Sequence, residues 1–293
     1  MATVKPKSTA RKKTLKSTGP SEVVAKPNLE EGNAPIQELP IPLESFERHI
    51  DRLANEMRRA INEVNVAAQV LALGPDRIAE MPAQDHMFRF HLPQVNRDVV
   101  QRKMLLNGVF PNVDGYNALS LRLPRGGVFI DVGGYLGVSS SFFAKVCQAD
   151  VLHVFEPQNV VREILRKNLE LNEVENVTIY DQAVMDGCTN VDPGAFKPHD
   201  MGATPFLKHA NGRYQGVSLD SMDVDRVDVI HMDFSGPKML ALEGANDLIK
   251  RCKPFLIIDK ASRDLREVVD HILPLGYRHD QSAGLMMFYP EAT

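Results

Sequence analysis

Three carboxylates stand where donors from a charged nucleoside could be received: Asp131, Glu156 and Asp181. Asp131 opens the run Asp131-Val132-Gly133-Gly134-Tyr135-Leu136-Gly137. Glycines in such a run let the backbone turn tightly and come close to a ligand, and the helix that follows offers free N–H groups. The dinucleotide fingerprint G-x-G-x-x-G fails here. With Gly134 and Gly137 as its second and third glycines, Val132 occupies the place of the first. A carboxylate at Asp131 suits an ammonium and a sulfonium and opposes a pyrophosphate. Glu156 follows Gly137 by 19 residues and ends the next apolar run, where an acid accepts from both ribose hydroxyls. Asp181 ends a third run and is placed to accept from an adenine amino group. The set describes a site for adenosine joined to a cationic amino acid, with Asp131, Gly133, Gly134, Tyr135, Gly137, Glu156 and Asp181 as its binding residues.

The elements that must position these residues are legible as alternating runs. Val128–Val132, Val151–Phe155, Val177–Tyr180, Val227–Met232 and Phe255–Ile258 read as buried parallel strands. Helical patterns over 136–147, 160–171, 239–250 and 264–273 separate them. Tyr277–Asp280 and Leu285–Tyr289, on either side of Ser282-Ala283-Gly284, read as a closing antiparallel pair. The expected fold is therefore α/β, a doubly wound and mostly parallel sheet with helices on both faces. Residues 186–216 interrupt the alternation with Gly187, Pro193, Gly194, Pro198, Gly202 and Pro205, and Asn211-Gly212 signals a hairpin turn. Insertions of this kind lie over the carboxyl edge of the sheet, where ligands bind.

Ahead of this domain, 43–72 reads as one amphipathic helix. Ile50, Met57, Val64 and Leu71 recur every seven residues, and Phe46, Leu53, Ala60 and Ala67 form a second row. Gly74-Pro75 stops it. Four heptads are about the minimum for a dimerising coiled coil, so a homodimer through helix 43–72 is one expectation and packing on the domain is the other. A second helix is expected from Asp98 to Leu106, and 109–125 reads as a turn-rich link containing Pro111, Gly115 and Pro124. The divisions are thus a polar leader over 1–40, a helical region over 41–108 and the α/β domain over 109–293.

Lys5, Lys7, Arg11, Lys12, Lys13, Lys16 and Lys26 face a single acid, Glu22, in residues 1–27. The whole chain carries −4, so the body is acidic, which argues against nucleic acid lying across it. The leader, without periodicity, reads as disordered. No apolar run is long enough to span a bilayer, and there is no apolar leader segment. Cys147, Cys188 and Cys252 are too widely spaced for a zinc site or a disulfide framework, and no histidine spacing suggests a metal. Reduced thiols point to the cytoplasm.

At this level the chain resembles the FkbM-type methyltransferases, which have the class I methyltransferase fold. The resemblance covers roughly residues 95–290. Val128 to Gly137 resembles the family's first S-adenosylmethionine motif, Phe155-Glu156-Pro157 its second, and Asn168-Leu169-Glu170-Leu171-Asn172 the helix end that follows. Ser218 to Met222, Val227 to Gly236 and Lys253 to Asp259 resemble the elements around its fourth and fifth strands. Two sets of positions depart. Tyr135 stands where the family has asparagine. His231, Ser235 and Lys238 stand where its fourth strand and loop carry lysine and two glutamates.

The resemblance implies S-adenosylmethionine as cofactor and O-methylation of a sugar or small natural-product-like hydroxyl. Asp233, at the end of the fourth strand, is then the leading base or acceptor-orienting residue, and His231, two residues earlier on the same face, a proton relay. Three rivals differ in kind. A cofactor-binding descendant without turnover is motivated by Ser235 and Lys238. An NAD-linked oxidoreductase is opposed by Val132. An RNA methyltransferase would need the basic leader.

Overall fold

The computed structural model describes residues 43–260, 264–282 and 284–291, so the leader over 1–40 lies outside the described residues. The chain divides into two compact units, residues 1–52 and 53–293. Helix α1 (Leu43–Ala72) starts in the first, and everything below belongs to the second.

After α1 come β1 (Ile78–Ala83), β2 (His86–His91), α2 (Val99–Asn107) and α3 (Val113–Ser120). The region expected to be helical up to residue 108 therefore contains an antiparallel hairpin, β1 on β2, with Met81 opposite Phe88. Met81, Phe88 and Phe90 are completely buried, an alternation that fits a strand with one face in the core. The link over 109–125 contains α3, a helix that tolerates Gly115 in its first turn.

The α/β alternation follows: β3 (Val128–Val132), α4 (Val138–Lys145), β4 (Val151–Phe155), α5 (Asn159–Leu171) and β5 (Val177–Tyr180). An inserted stretch forms β6 (Ala183–Val184), β7 (Thr189–Pro193), β8 (Phe206–Lys208) and β9 (Tyr214–Val217). These make a four-stranded sheet in the order β6-β9-β7-β8. Asn211-Gly212 does not close a hairpin between β8 and β9, because β7 lies between them and pairs with both.

The main alternation resumes with β10 (Val229–Met232), α6 (Lys238–Glu243), α7 (Asn246–Cys252), β11 (Phe255–Asp259), α8 (Leu265–Ile272), β12 (Tyr277–Ser282) and β13 (Leu285–Pro290). The single helix expected over 239–250 is broken at Gly244. That glycine lies so close to the Met185 carbonyl that a Cβ there would overlap it.

The seven-stranded sheet has the order β12-β13-β11-β10-β3-β4-β5. Its strands are parallel from β11 to β5, and β13 runs antiparallel to both β11 and β12. The doubly wound, mostly parallel sheet with a late antiparallel pair is the class I methyltransferase architecture expected from the sequence. Alternate residues of each strand serve two separate cores. Phe129, Leu152, Val154, Val229 and Ile257 pack on the face covered by α4, α5 and the β1–β2 hairpin. Ile130, Val132, Ile230, Met232, Leu256 and Ile258 pack on the face covered by α6, α7 and α8.

The chain order fixes the site. It winds outward from β3 through β4 to β5, then returns to place β10 on the other side of β3. The carboxyl ends of β3 and β10 are therefore a topological switch point, where loops diverge and leave a crevice.

Candidate active site

Gly133 leaves β3 with φ +91, and a Cβ on it would overlap the Asp233 carbonyl at the end of β10. Only glycine lets the two strand ends come this close. The next turn is closed by backbone bonds, since the N–H groups of Gly133 and Gly134 both donate to the Phe155 carbonyl. Gly137 begins α4 with φ +76 and packs under Leu165.

Tyr135 sits in the left-handed region with φ +43. Asparagine enters that region more easily than tyrosine, which gives a physical reason for asparagine at this place in the resembled family. Here the strain is held by two bonds. The Tyr135 N–H donates to Glu156 Oε2 at 3.1 Å, and its hydroxyl donates to Asp98 Oδ1 at 2.8 Å. Asp98 caps α2 by accepting from the Val100 and Gln101 N–H groups, and its other oxygen accepts from the Met201 N–H at 3.0 Å. The inserted segment is thereby tied to the glycine turn, and Gly202 lies against the Tyr135 ring.

Glu156, at the end of β4, is 4% exposed and lines a narrow chamber with Gly133, Tyr135, Gln182, Thr204, Phe206 and Asp233. Its Oε1 accepts from the Gln158 N–H at 2.9 Å. Burial pushes the Glu156 carboxyl up to about 7, against the lowering pull of those two N–H donors and Arg162. Two further polar atoms in this chamber, the Gln182 side-chain oxygen and the Thr204 hydroxyl, are buried with no partner among the described residues. Buried polar atoms are nearly always satisfied, so two unpartnered oxygens on residues of one chamber single it out as a candidate ligand site. Asp181 is exposed and lines neither this chamber nor the cavity beside it. Its successor Gln182 takes the inward position, because side chains one residue apart on extended chain point to opposite sides.

The chamber shares Gly133, Tyr135, Asp233 and Ser235 with a neighbouring cavity of about 900 Å³. Its walls carry Asp200, Asp233, Asp259, Asp264 and Glu267 against Lys197 and Lys238. The Lys238 ammonium is turned inward to donate to the Phe234 carbonyl at 2.9 Å, bracing the loop after β10. Asp233 opens on both spaces. Burial raises its carboxyl, with His231 and Lys238 pulling it back and Asp259 and Asp131 adding to the rise.

Asp131 is in neither lining. It is fully buried on the α4 face of the sheet, where Oδ2 accepts from the Ser139 and Ser140 hydroxyls at 2.7 and 2.5 Å. Its Oδ1 faces His231 Nδ1 at 2.8 Å, since the register sets His231 beside Asp131. The other ring nitrogen of His231 is 3.4 Å from the Tyr116 hydroxyl. Tyr116, carried by α3, lines the large cavity together with Asp233. Sequence patterning does not single it out, because Pro111, Gly115 and Pro124 make its segment read as a link. Among the expected residues, Gly133, Gly134, Tyr135, Glu156 and Asp233 line the two spaces, Asp131 and His231 lie behind them, and Gly137 and Asp181 stand apart.

Neither a known protein family nor a curated protein matches the sequence. Solved structures do. A methyltransferase FkbM from Methylobacillus flagellatus KT aligns with a TM-score of 0.45 and 18% identity, over 80% of this chain and 60% of its own. This chain thus spans about three fifths of that protein's length. An rRNA methylase from Streptococcus thermophilus aligns at 0.42 and 14% identity, over 61% of this chain and 96% of its own. The TYW2 protein of M. jannaschii, in complex with AdoMet, aligns at 0.37 and 11%, over 73% and 84%.

Proposed function

We propose that this chain is an S-adenosylmethionine-dependent O-methyltransferase of FkbM type, acting on a hydroxyl of a sugar or other small acceptor held in the large cavity. The observation that carries the reading is the narrow chamber at the switch point. There Glu156, beside a glycine turn, shares the lining with Gln182 and Thr204, whose side-chain oxygens are buried without a partner among the described residues. That donor and acceptor set fits an adenosine: ribose hydroxyls onto Glu156, and the polar edge of the base onto Gln182 and Thr204. When bound, S-adenosylmethionine supplies a methyl group on a sulfonium, a good leaving group. The chain's own residues orient the acceptor and take its proton. Asp233, open to both spaces, is the acceptor-orienting group. Positioning of this kind contributes up to about 7–11 kcal/mol in well-oriented cases.

The acid-rich cavity wall supports a neutral or cationic small acceptor over a phosphodiester, which five carboxylates against two lysines would repel. Titration of the protein with S-adenosylhomocysteine tests the cofactor. Micromolar binding with none for NAD is expected, and absence of binding would end this reading.

A homodimer through α1 is the second part of the proposal. Leu53, Met57, Ile61, Val64 and Leu71 are exposed along it, whereas the packed residues Val66 and Val70 lie on another side. A second copy of the helix is a natural cover for such a stripe. Sedimentation should find a dimer that the double variant Met57→Glu, Val64→Glu converts to monomer. A wild-type monomer at tens of micromolar would refute it.

A further inference from the structure

We propose that Tyr116, His231 and Asp131 form a proton relay that takes the acceptor's hydroxyl proton out of the cavity, with His231 as its terminal base. This rests on the O-methyltransferase reading and changes the part played by Asp131.

The geometry fixes the direction of the relay. Asp131 has both oxygens engaged by donors, two of them serine hydroxyls. A carboxylate facing His231 Nδ1 requires that nitrogen to carry the hydrogen. In the neutral ring Nε2 then keeps a lone pair, and the Tyr116 hydroxyl stands 3.4 Å from it. Tyr116 is 3% exposed and reaches the cavity wall, whereas His231 and Asp131 are completely buried and do not. Phe142 and Phe143 pack around the tyrosine, and Phe143 also meets the histidine ring. Replacing a buried ion pair as a whole by apolar residues of the same volume is often neutral or stabilising, so a buried Asp–His pair behind a cavity-facing hydroxyl is weak evidence of a purely structural role. From the cavity wall the bonded groups run inward through Tyr116 to His231 and Asp131, with Ser139, which also lines the cavity, bonded to Asp131 from the side.

The step balances as follows. The acceptor oxygen gives its proton to Tyr116 Oη while Tyr116 gives its own to His231 Nε2. The freed oxygen pair forms the new O–C bond, and the pair of the broken C–S bond stays on sulfur. The positive charge lost from the sulfonium reappears on the imidazolium, beside the Asp131 carboxylate. Tyr116 ends the step neutral. Burial, with Asp233, Asp131 and Asp259 nearby, holds the Tyr116 phenol well above its ordinary range, so it passes a proton on and does not rest as phenolate. Burial opposes charge on His231, but Asp131 first, then Asp233 and Asp259, raise the imidazole above its ordinary value. The charged and titratable groups facing it are Asp131 from β3, Tyr116 from α3, Asp233 from its own strand end and Asp259 from β11.

The test uses the full chain, methyl-tritiated S-adenosylmethionine and pooled monosaccharides, polyols and phenols as acceptors. Tyr116→Phe removes one oxygen. Asp131→Asn keeps the shape but offers His231 Nδ1 a donor, which moves the ring hydrogen to Nε2 and blocks the path. Each should lower kcat by about 10²-fold or more, with S-adenosylhomocysteine affinity within about twofold of wild type. The tautomer change should show in the 15N shifts of His231, and wild-type kcat should fall as pH drops through the raised value of His231. Transfer at the wild-type kcat by Tyr116→Phe would overturn the relay. So would cofactor binding by the wild type with no hydroxyl labelled, while failure to bind S-adenosylhomocysteine at all would instead bring down the function reading beneath it.

Discussion

Replacing Asp131 by alanine will lower the stability of the protein by about 3–5 kcal/mol, the usual loss when one partner of a buried, bonded pair is removed. The carboxylate is fully buried and receives two serine hydroxyls and the His231 ring. Alanine takes the shared acceptor from all three donors and opens a void beside His231. In a domain of this size each kcal/mol moves the melting midpoint by about 2–4 °C, so a fall on the order of 10 °C is expected by calorimetry. At a temperature where the variant stays folded, S-adenosylhomocysteine should still bind, because Asp131 lines neither space. The sequence reading makes the opposite forecast, with the ammonium of the cofactor on this carboxylate. Unchanged melting together with a tenfold or greater loss of affinity would restore it.

That contrast shows what the sequence can and cannot convey about such a site. The run from Val128 to Gly137 locates the strand, the turn and the helix correctly, because their periodicities and glycines are local properties. Which face Asp131 presents depends on its neighbour in the sheet, and β10 lies 100 residues away. His231 and Asp131 could be listed as candidates from sequence, but their contact follows only from the parallel register of β3 and β10. Tyr116 was harder still, since its glycine-containing helix has only eight residues and weak amphipathic order. Asp181 shows a smaller failure of the same kind. The strand end was found, yet one residue's difference in register put Gln182 in the chamber and Asp181 in solvent.

The insertion failed for another reason. Asn-Gly is a strong hairpin signal between two strands that pair, but β8 and β9 are separated by β7, so the turn joins strands that are not neighbours. The β1–β2 hairpin gave the reverse problem. Its turn uses Gln84 with φ +49, a residue that carries no turn signal, although Met81, Phe88 and Phe90 alternate as a half-buried strand pair should. Tyr135 belongs with these cases. Its departure from asparagine became intelligible once its left-handed backbone and its bond to Asp98 were seen together. Strain held by a specific contact is a common feature of functional loops.

Glu156 should make cofactor affinity depend on pH with a midpoint near 7. Burial raises this carboxyl to about 7, so it is largely protonated in weak acid. Ribose hydroxyls donate best to the ionised form, so binding must displace that proton. Affinity for S-adenosylhomocysteine should therefore rise up to about tenfold per pH unit below 7 and level off above it. Glu156→Gln keeps one acceptor and removes the charge. At pH 8 it should weaken binding by about 10- to 100-fold, taking 1.5–3 kcal/mol for hydrogen bonds to a charged group, and it should abolish the pH dependence. The same shift acts on stability in the opposite sense. A carboxyl raised from 4.5 to about 7 stabilises the fold below 4.5, and that contribution is lost as pH rises through 7. The ligand-free Glu156→Gln protein should then melt higher than wild type at pH 8 and no higher at pH 4.5. A titration series in which wild-type affinity is flat from pH 5.5 to 8.5 would show that Glu156 is not the ribose acceptor. A variant that gains stability at pH 8 and still binds at full strength would place Glu156 among the residues that only close the turn.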